Sequence, residues 1–309
     1  MLPIISKRFL SSIRSWFDAG FYKKFGVYRI LVKKEGILLS KFSYGEKVGW
    51  FVKNDFFGFD NAALQDNLLV DEVSSVSSLD ISNYSWSERI PSLLLSQLNK
   101  VVPVFIVFPM SEVRVTVIEN SALIKKDKSY LKWLVGKSIC SEDSFELRLD
   151  SNDICTIATG YQKSIIQSIC SKFSNVSLEA IFPEFRIYEK SHISKEKIIV
   201  FVDYNSVSIV CYDLQGQVCF HRVIRAILVD YNLISSVYLS CCTVYEYFCT
   251  SLNEGNVLYK TSSDYVDEGI LQEFPWRKID DLYAEQNEYN LSFEDSYFIG
   301  TVLGKVPNL

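Results

Sequence analysis

Between Lys197 and Arg222 the chain reads KIIVFVDYNSVSIVCYDLQGQVCFHR, and this stretch leaves little choice of local structure. Ile198 to Val202 is a short, uninterrupted, β-branched run, which marks a strand covered on both faces. Asp203-Tyr204-Asn205-Ser206 is a turn cluster, Val207 to Tyr212 a second run, and Asp213 to Gln217 a second turn. Val218 to Val223 completes three strands in sequence. A plain meander with a polar turn at Asp203 accounts for this stretch by itself. The alternative is a hairpin whose tip approaches a ligand.

The same pattern occurs near the start. Phe25 to Val32, Gly36 to Phe42 and Lys47 to Lys53 read as strands, with turns at Lys33-Lys34-Glu35 and Ser43-Tyr44-Gly45-Glu46. Two such meanders in one chain are what a duplicated fold produces. Between them the pattern predicts a Ser-rich loop over Asp71 to Tyr84, a helix over Glu88 to Leu98 and a buried strand over Pro103 to Phe108. A strand over Val113 to Ile118, a helix over Asp127 to Ile139, strands over Phe145 to Leu149 and Ile154 to Thr159, and a helix over Tyr161 to Phe173 follow. After the second meander, Tyr231, Ile234, Tyr238, Cys241, Tyr245 and Phe248 line one face of a long helix. A strand over Val257 to Lys260, a connection over Leu271 to Leu282 and a closing helix over Glu294 to Gly304 end the chain. The order predicts a mixed α/β fold with two duplicated lobes and an inserted small α+β module. Its expected divisions are an N-terminal helix over 1–22, the first lobe over 23–103, the module over 104–190 and the second lobe over 191–309.

Composition narrows the function. A chain of 309 residues with 48% hydrophobic residues can bury the cores of two lobes. A net charge of −5 gives no case for a nucleic-acid partner. Two histidines and eight cysteines without C-x-x-C spacing predict no metal centre. The cysteines sit mostly among apolar residues, as reduced thiols of a cytoplasmic protein do. No run of about 18 apolar residues predicts a membrane span. Leu2, Ile5, Phe9, Ile13 and Trp16 share one face of the N-terminal helix, and Lys7, Ser11, Arg14 and Asp18 the other. With Arg8, and with Lys23 and Lys24 following, this is a basic amphipathic helix. It lies on an anionic membrane surface through Lys7, Arg8, Arg14 and Trp16, or packs on its own domain.

The element order resembles the actin-like cytoplasmic proteins of type IV pilus and type II secretion assembly, the family of PilM, MshI and the cytoplasmic part of GspL. The resemblance runs from about Gly26 to Gly304. It is carried by VRVTVIENSALIKKDKSYLKWLVG, FELRLD, ICTIATGYQKSIIQSICSKF and LEAIFPEFRIYEK, then the Ile198 to Arg225 stretch and the closing TVLGK. It implies an actin-like two-lobed fold and a cytoplasmic position, peripheral on the inner membrane. It also implies a bitopic inner-membrane partner of the PilN type, whose short tail docks beside the inserted module, with a motor ATPase as a further partner. For tail contacts the alternation over Val113 to Ile118 selects Val113, Val115 and Val117 on one side and Arg114 on the other.

The same resemblance implies a nucleotide site, and the residues depart from it. The family's first hairpin carries a Gly-Ile-Asp-x-Gly-like tip. Here it reads Phe25-Gly26-Val27-Tyr28-Arg29, with only Gly26 retained and no carboxylate to organise Mg²⁺. Asp203 matches the second tip, but Asn205 stands where Gly permits close backbone approach, followed by Ser206. Thr261-Ser262-Ser263 replaces the adenosine-side glycines. The expectation is a degenerate site at Gly26, Asp203, Asn205 and Ser206, no cofactor and no enzymatic activity. The competing expectation is an ATP/Mg-binding ATPase or small-molecule kinase with divergent loops.

Overall fold

The computed structural model describes residues 20–33, 36–59, 90–119, 145–151, 155–189, 195–203, 206–226, 229–248, 256–261, 266–279 and 291–303. The Ser-rich loop, the helix expected over Asp127 to Ile139, and Lys7, Arg8, Arg14, Trp16 and Asn205 lie outside them.

Each meander builds one sheet. The first comprises β1 (Val27–Val32), β2 (Gly36–Gly45), β3 (Gly49–Gly58), β4 (Pro103–Phe108) and β8 (Ser177–Pro183), in the order β3-β2-β1-β4-β8. The second comprises β9 (Ile198–Asp203), β10 (Ser206–Tyr212), β11 (Val218–Arg225), β12 (Val257–Thr261) and β13 (Arg277–Lys278), in the order β11-β10-β9-β12-β13. In each sheet the meander is antiparallel and the last two strands add parallel to its first strand. Order and direction repeat strand for strand, so the two sheets are one fold used twice.

β8 and β13, the outer parallel strands, were not anticipated as strands. β13 is two residues long, and β8 carries Pro at its end and only partial burial, which leaves neither with a clear period of two. β4 and β8 also locate the inserted module. The chain leaves the first sheet after β4 and returns to it at β8. Between them β5 (Arg114–Glu119), β6 (Phe145–Ser151) and β7 (Cys155–Gln162) form a separate sheet, in the order β5-β7-β6. Helix α2 (Lys163–Lys172) covers this sheet with Ile165, Ile166 and Ile169.

Burial follows alternation. Ile198, Val200 and Val202 of β9 face one core with α3 (Tyr231–Phe248), while Ile199 and Phe201 face the first lobe. Both faces are covered, which is why the run contains no polar residue until Asp203. In the first lobe α1 (Ser92–Gln97) buries Leu94, and α5 (Phe293–Val302) sets Phe298 against Phe42, Phe105 and Phe182 of three different strands. A short helix α4 (Glu268–Gln272), whose first turn Asp267 caps, completes the second lobe beside Trp276. Among the described residues no helix is long and apolar enough to cross a membrane.

Gly26 ends the helical segment 20–25. Its N–H donates to Tyr22 O at 2.8 Å and its φ is +78°, the left-handed helix-ending conformation. A Cβ there would lie 2.4 Å from the backbone oxygen of Phe42. Gly26→Ala should therefore destabilise the protein by more than 1 kcal/mol, measured by urea unfolding. An unchanged midpoint would show that the turn tolerates a side chain.

Candidate functional site

The two lobes meet along a cleft of about 190 Å³ lined by Arg29, Leu31, Lys33, Lys260, Thr261 and Glu294, among others. The charged residues reach it by alternation. Arg29 lies on β1 among apolar neighbours, and Lys260 follows Leu258 on the face of β12 that meets the first lobe. Glu184 opens the short 3-10 turn Glu184–Tyr188 that carries the chain from β8 towards the second lobe. Glu294 and Asp295 stand in the first turn of α5, behind the cap made by Ser292.

These five side chains form one ion-pair network. Lys260 Nζ lies 2.6 Å from Glu184 Oε1 and 2.6 Å from Glu294 Oε2. Arg29 Nη2 lies 2.6 Å from Asp295 Oδ1, and Nη1 lies 3.3 Å from Glu294 Oε1. Arg29 Nη2 also donates to Ser40 Oγ at 3.1 Å, and the guanidinium sits against the rings of Phe42 and Phe298. Arg29, Glu184, Lys260 and Asp295 are all buried. Burial raises the Glu184 carboxyl, and Lys260 only partly offsets it. Burial also works against Glu294, but Lys260 and Arg29 outweigh it and hold this carboxyl low. For Lys260 itself, burial favours the neutral amine and the two glutamates reverse that, so the ammonium is retained. Lys260 is the member of the network contributed by the second sheet; its partners all belong to elements packed on the first.

The expected nucleotide residues are distributed differently. Gly26 is at the end of β1 away from the β1–β2 tip, so Phe25 to Arg29 is not the first hairpin tip. That tip follows Val32, where Lys33 N donates to Gly36 O at 2.9 Å, with two residues between them in the sequence. In the second meander Asp203 pairs with Ser206, likewise with two residues between them in the sequence. The repeat therefore sets Lys33 in the position equivalent to Asp203. Ser206 is buried between Asp203 and Arg225 in the sheet. Asp203 and Lys33 are presented by opposite lobes, and Gly26 does not join them.

The expected tail-contact residues belong to packing. Val113 is buried, and Val115 and Val117 pack against the main core. β5 is an edge strand of the module, yet Val115 O is taken at 3.0 Å by His221 Nδ1 of β11. Cys155 Sγ of β7 similarly donates to Val218 O of β11 at 3.0 Å. The module therefore rests against the second lobe, and strand addition along β5 at Val115 is blocked. Arg114, half-buried on the same strand, carries interactions of its own.

Arg29, Lys33, Glu184, Lys260, Glu294 and Asp295 were not selected from the sequence. A signal was present for two of them: a single cation inside VYRILV and another closing VLYK sit in strands too apolar to leave a charge unpaired. Their partners are distant in the chain and carry no local mark.

Two outcomes follow from this geometry. Lys260→Met leaves two buried carboxylates without their shared cation and should cost about 3 to 5 kcal/mol in urea unfolding, with part regained by adding Glu184→Gln. His221 is held neutral by burial, which lowers it to about 4 against the weaker pull of Val115 O. Above its unfolded value neither state is protonated; below it the unfolded chain takes up a proton and the folded one resists. Stability should fall between about pH 6.5 and pH 4, by up to about 1.4 kcal/mol per pH unit. His221→Gln should remove that component, and an identical pH profile for the variant would refute the assignment.

No protein-family model matches the sequence, and no curated protein matches it. Among solved structures the chain is similar to a Bacteroides thetaiotaomicron protein with actin-like ATPase fold and unknown function, with TM-score 0.50 and 11% identity over 90% of this chain and 95% of that one. It is also similar to a chain of the PilM–PilN type IV pilus biogenesis complex, with TM-score 0.46 and 11% identity over 91% and 98%. A third is the cytoplasmic domain of EpsL, an inner membrane component of the type II secretion system of Vibrio cholerae, with TM-score 0.44 and 10% identity over 76% and 82%. The first of these, together with the repeated sheets, assigns the actin-like fold.

Proposed function

We propose that this protein is a cytoplasmic actin-like adaptor of a type IV pilus or type II secretion inner-membrane assembly platform, and that it does not hydrolyse ATP. The observation that carries the second half is the Lys260 bridge between Glu184 and Glu294. A hydrolysing site needs open carboxylates for Mg²⁺ and glycine-lined backbone for phosphates. Here the carboxylates of the cleft are held by Lys260 and Arg29, the first hairpin tip opens on Lys33 instead of an acid, and Thr261 stands where the adenosine-side glycines are expected. The described residues of the cleft speak against a metal-bound nucleotide.

The adaptor half rests on the resemblance of the element order to that of the PilM-like proteins, above all the module inserted between β4 and β8. The partner is the short cytoplasmic tail of a bitopic membrane protein of the PilN type, docked on the module away from the β5 edge. A motor ATPase is the further partner on the cytoplasmic side, and the assembly is peripheral to the inner membrane.

Thermal unfolding with and without millimolar Mg-ATP tests the first half: the midpoint should not move. A clear upward shift would favour the competing reading, an ATPase or small-molecule kinase using Asp203. Titration with synthetic tails of bitopic platform proteins tests the second: one tail should bind saturably, and binding by none would remove the adaptor role.

A further inference from the structure

The helical segment 20–25 and the β2–β3 hairpin place aromatic and basic side chains together at one end of the first lobe. Phe21 and Phe25 are 39% and 38% exposed, unusual for phenylalanine, and their rings lie 4.7 Å apart. Lys23 Nζ stands 4.7 Å over the ring of Tyr44, which meets Trp50 at 5.6 Å across the hairpin next to its tip. This contact joins the helical segment to the hairpin. Val48 on the turn, 64% exposed, and Phe51 on β3, 45% exposed, both lie beside Gly45. Lys24 lies over the Phe25 ring, and Lys47 is exposed on the tip itself.

Among the described residues the charge of this end is mostly positive. Lys23, Lys24 and Lys47 are exposed cations; Lys53, further along β3, lies 3.8 Å from Asp55. Glu46 is the acid at the tip. The next, Asp55, is engaged by Lys41 at 3.0 Å and held low chiefly by it. The protein as a whole is acidic, with net charge −5, so a basic end runs against its composition.

We propose that the Phe21/Phe25 segment and the Val48/Phe51 hairpin tip form a docking surface for an anionic lipid bilayer. Exposed aromatic rings among lysines suit the interface, where rings enter the headgroup region and ammonium groups stay at its phosphates. Each lysine near such a surface contributes about 1 kcal/mol, close to fivefold in partitioning. A protein groove would pair the rings but would not call for exposed lysines around them. The inference deepens the proposed peripheral position and rests on it. It assigns the contact to folded residues of the first lobe, apart from the N-terminal residues Lys7, Arg8, Arg14 and Trp16.

The full chain is tested by sedimentation with vesicles of phosphatidylcholine alone and with 30% added phosphatidylserine or phosphatidylglycerol. Wild type should bind the anionic vesicles, and binding should weaken with salt. Lys23→Glu/Lys24→Glu/Lys47→Glu should weaken it by about 100-fold or more, at roughly fivefold per lysine lost. Phe21→Ser/Phe25→Ser/Val48→Ser/Phe51→Ser should weaken it on every anionic composition. All substituted residues are exposed, so melting temperatures serve as the folding control. Wild-type binding with both variants unaffected would overturn this surface while leaving the peripheral position in place. No wild-type binding to any vesicle would overturn both, and would mean that the patch faces a protein.

Discussion

The architecture hangs on a cation buried where two sheets meet. Lys260 brings its ammonium from the second lobe into a space whose other walls come from the first, and two carboxylates close on it within 2.6 Å. Charges removed from water are costly unless their partners are equally fixed. The partners are fixed here by unrelated devices: Glu294 by the capped first turn of α5, Glu184 by the turn after β8, and Arg29 by two aromatic rings and Ser40. Each device belongs to a different stretch of chain, so the network forms only when β1, β8, β12 and α5 have all reached their places.

That dependence gives the lobes a defined relation. Apolar contact supplies most of the association, since Ile199, Phe201, Val210, Tyr212 and Leu258 of the second sheet share a core with the first lobe. Apolar contact alone tolerates sliding; short ion pairs and Tyr212 Oη donating to Phe185 O at 3.0 Å do not. The module adds a second attachment through His221 and Cys155. Two lobes tied at the cleft and again at the module suit the proposed adaptor role, which calls for a fixed surface.

Much of this was legible from residue patterns. The helix Tyr231–Phe248 and the strand Pro103–Phe108 coincide with their expected spans because each has a strong period or an unbroken apolar run, and the meanders fall where expected except that β2 and β3 run on to Gly45 and from Gly49 to Gly58. The long helix has one charged residue in eighteen positions and its buried face is still apparent from spacing. The outer strands were not legible, because a two-residue strand and one ending in Pro offer no period. The site was read partly at the wrong end of β1. Gly26 resembles a phosphate-loop glycine by its neighbours, yet its positive φ serves to stop a helix, and only the strand register shows which turn is the tip. The network was invisible for another reason: it joins residues 29, 184, 260 and 294–295, and long-range pairing leaves no local pattern.

The way the module is spliced in has a consequence of its own. Its two ends are β4 and β8, hydrogen-bonded neighbours running parallel in the first sheet. Parallel neighbours always need a long crossover, so the sheet is indifferent to how much chain that crossover holds. A lineage could lengthen, shorten or replace the cassette without shifting one rung of the ladder. What such an exchange would have to preserve is its seat against β11, where one imidazole and one thiol hold it to the far lobe.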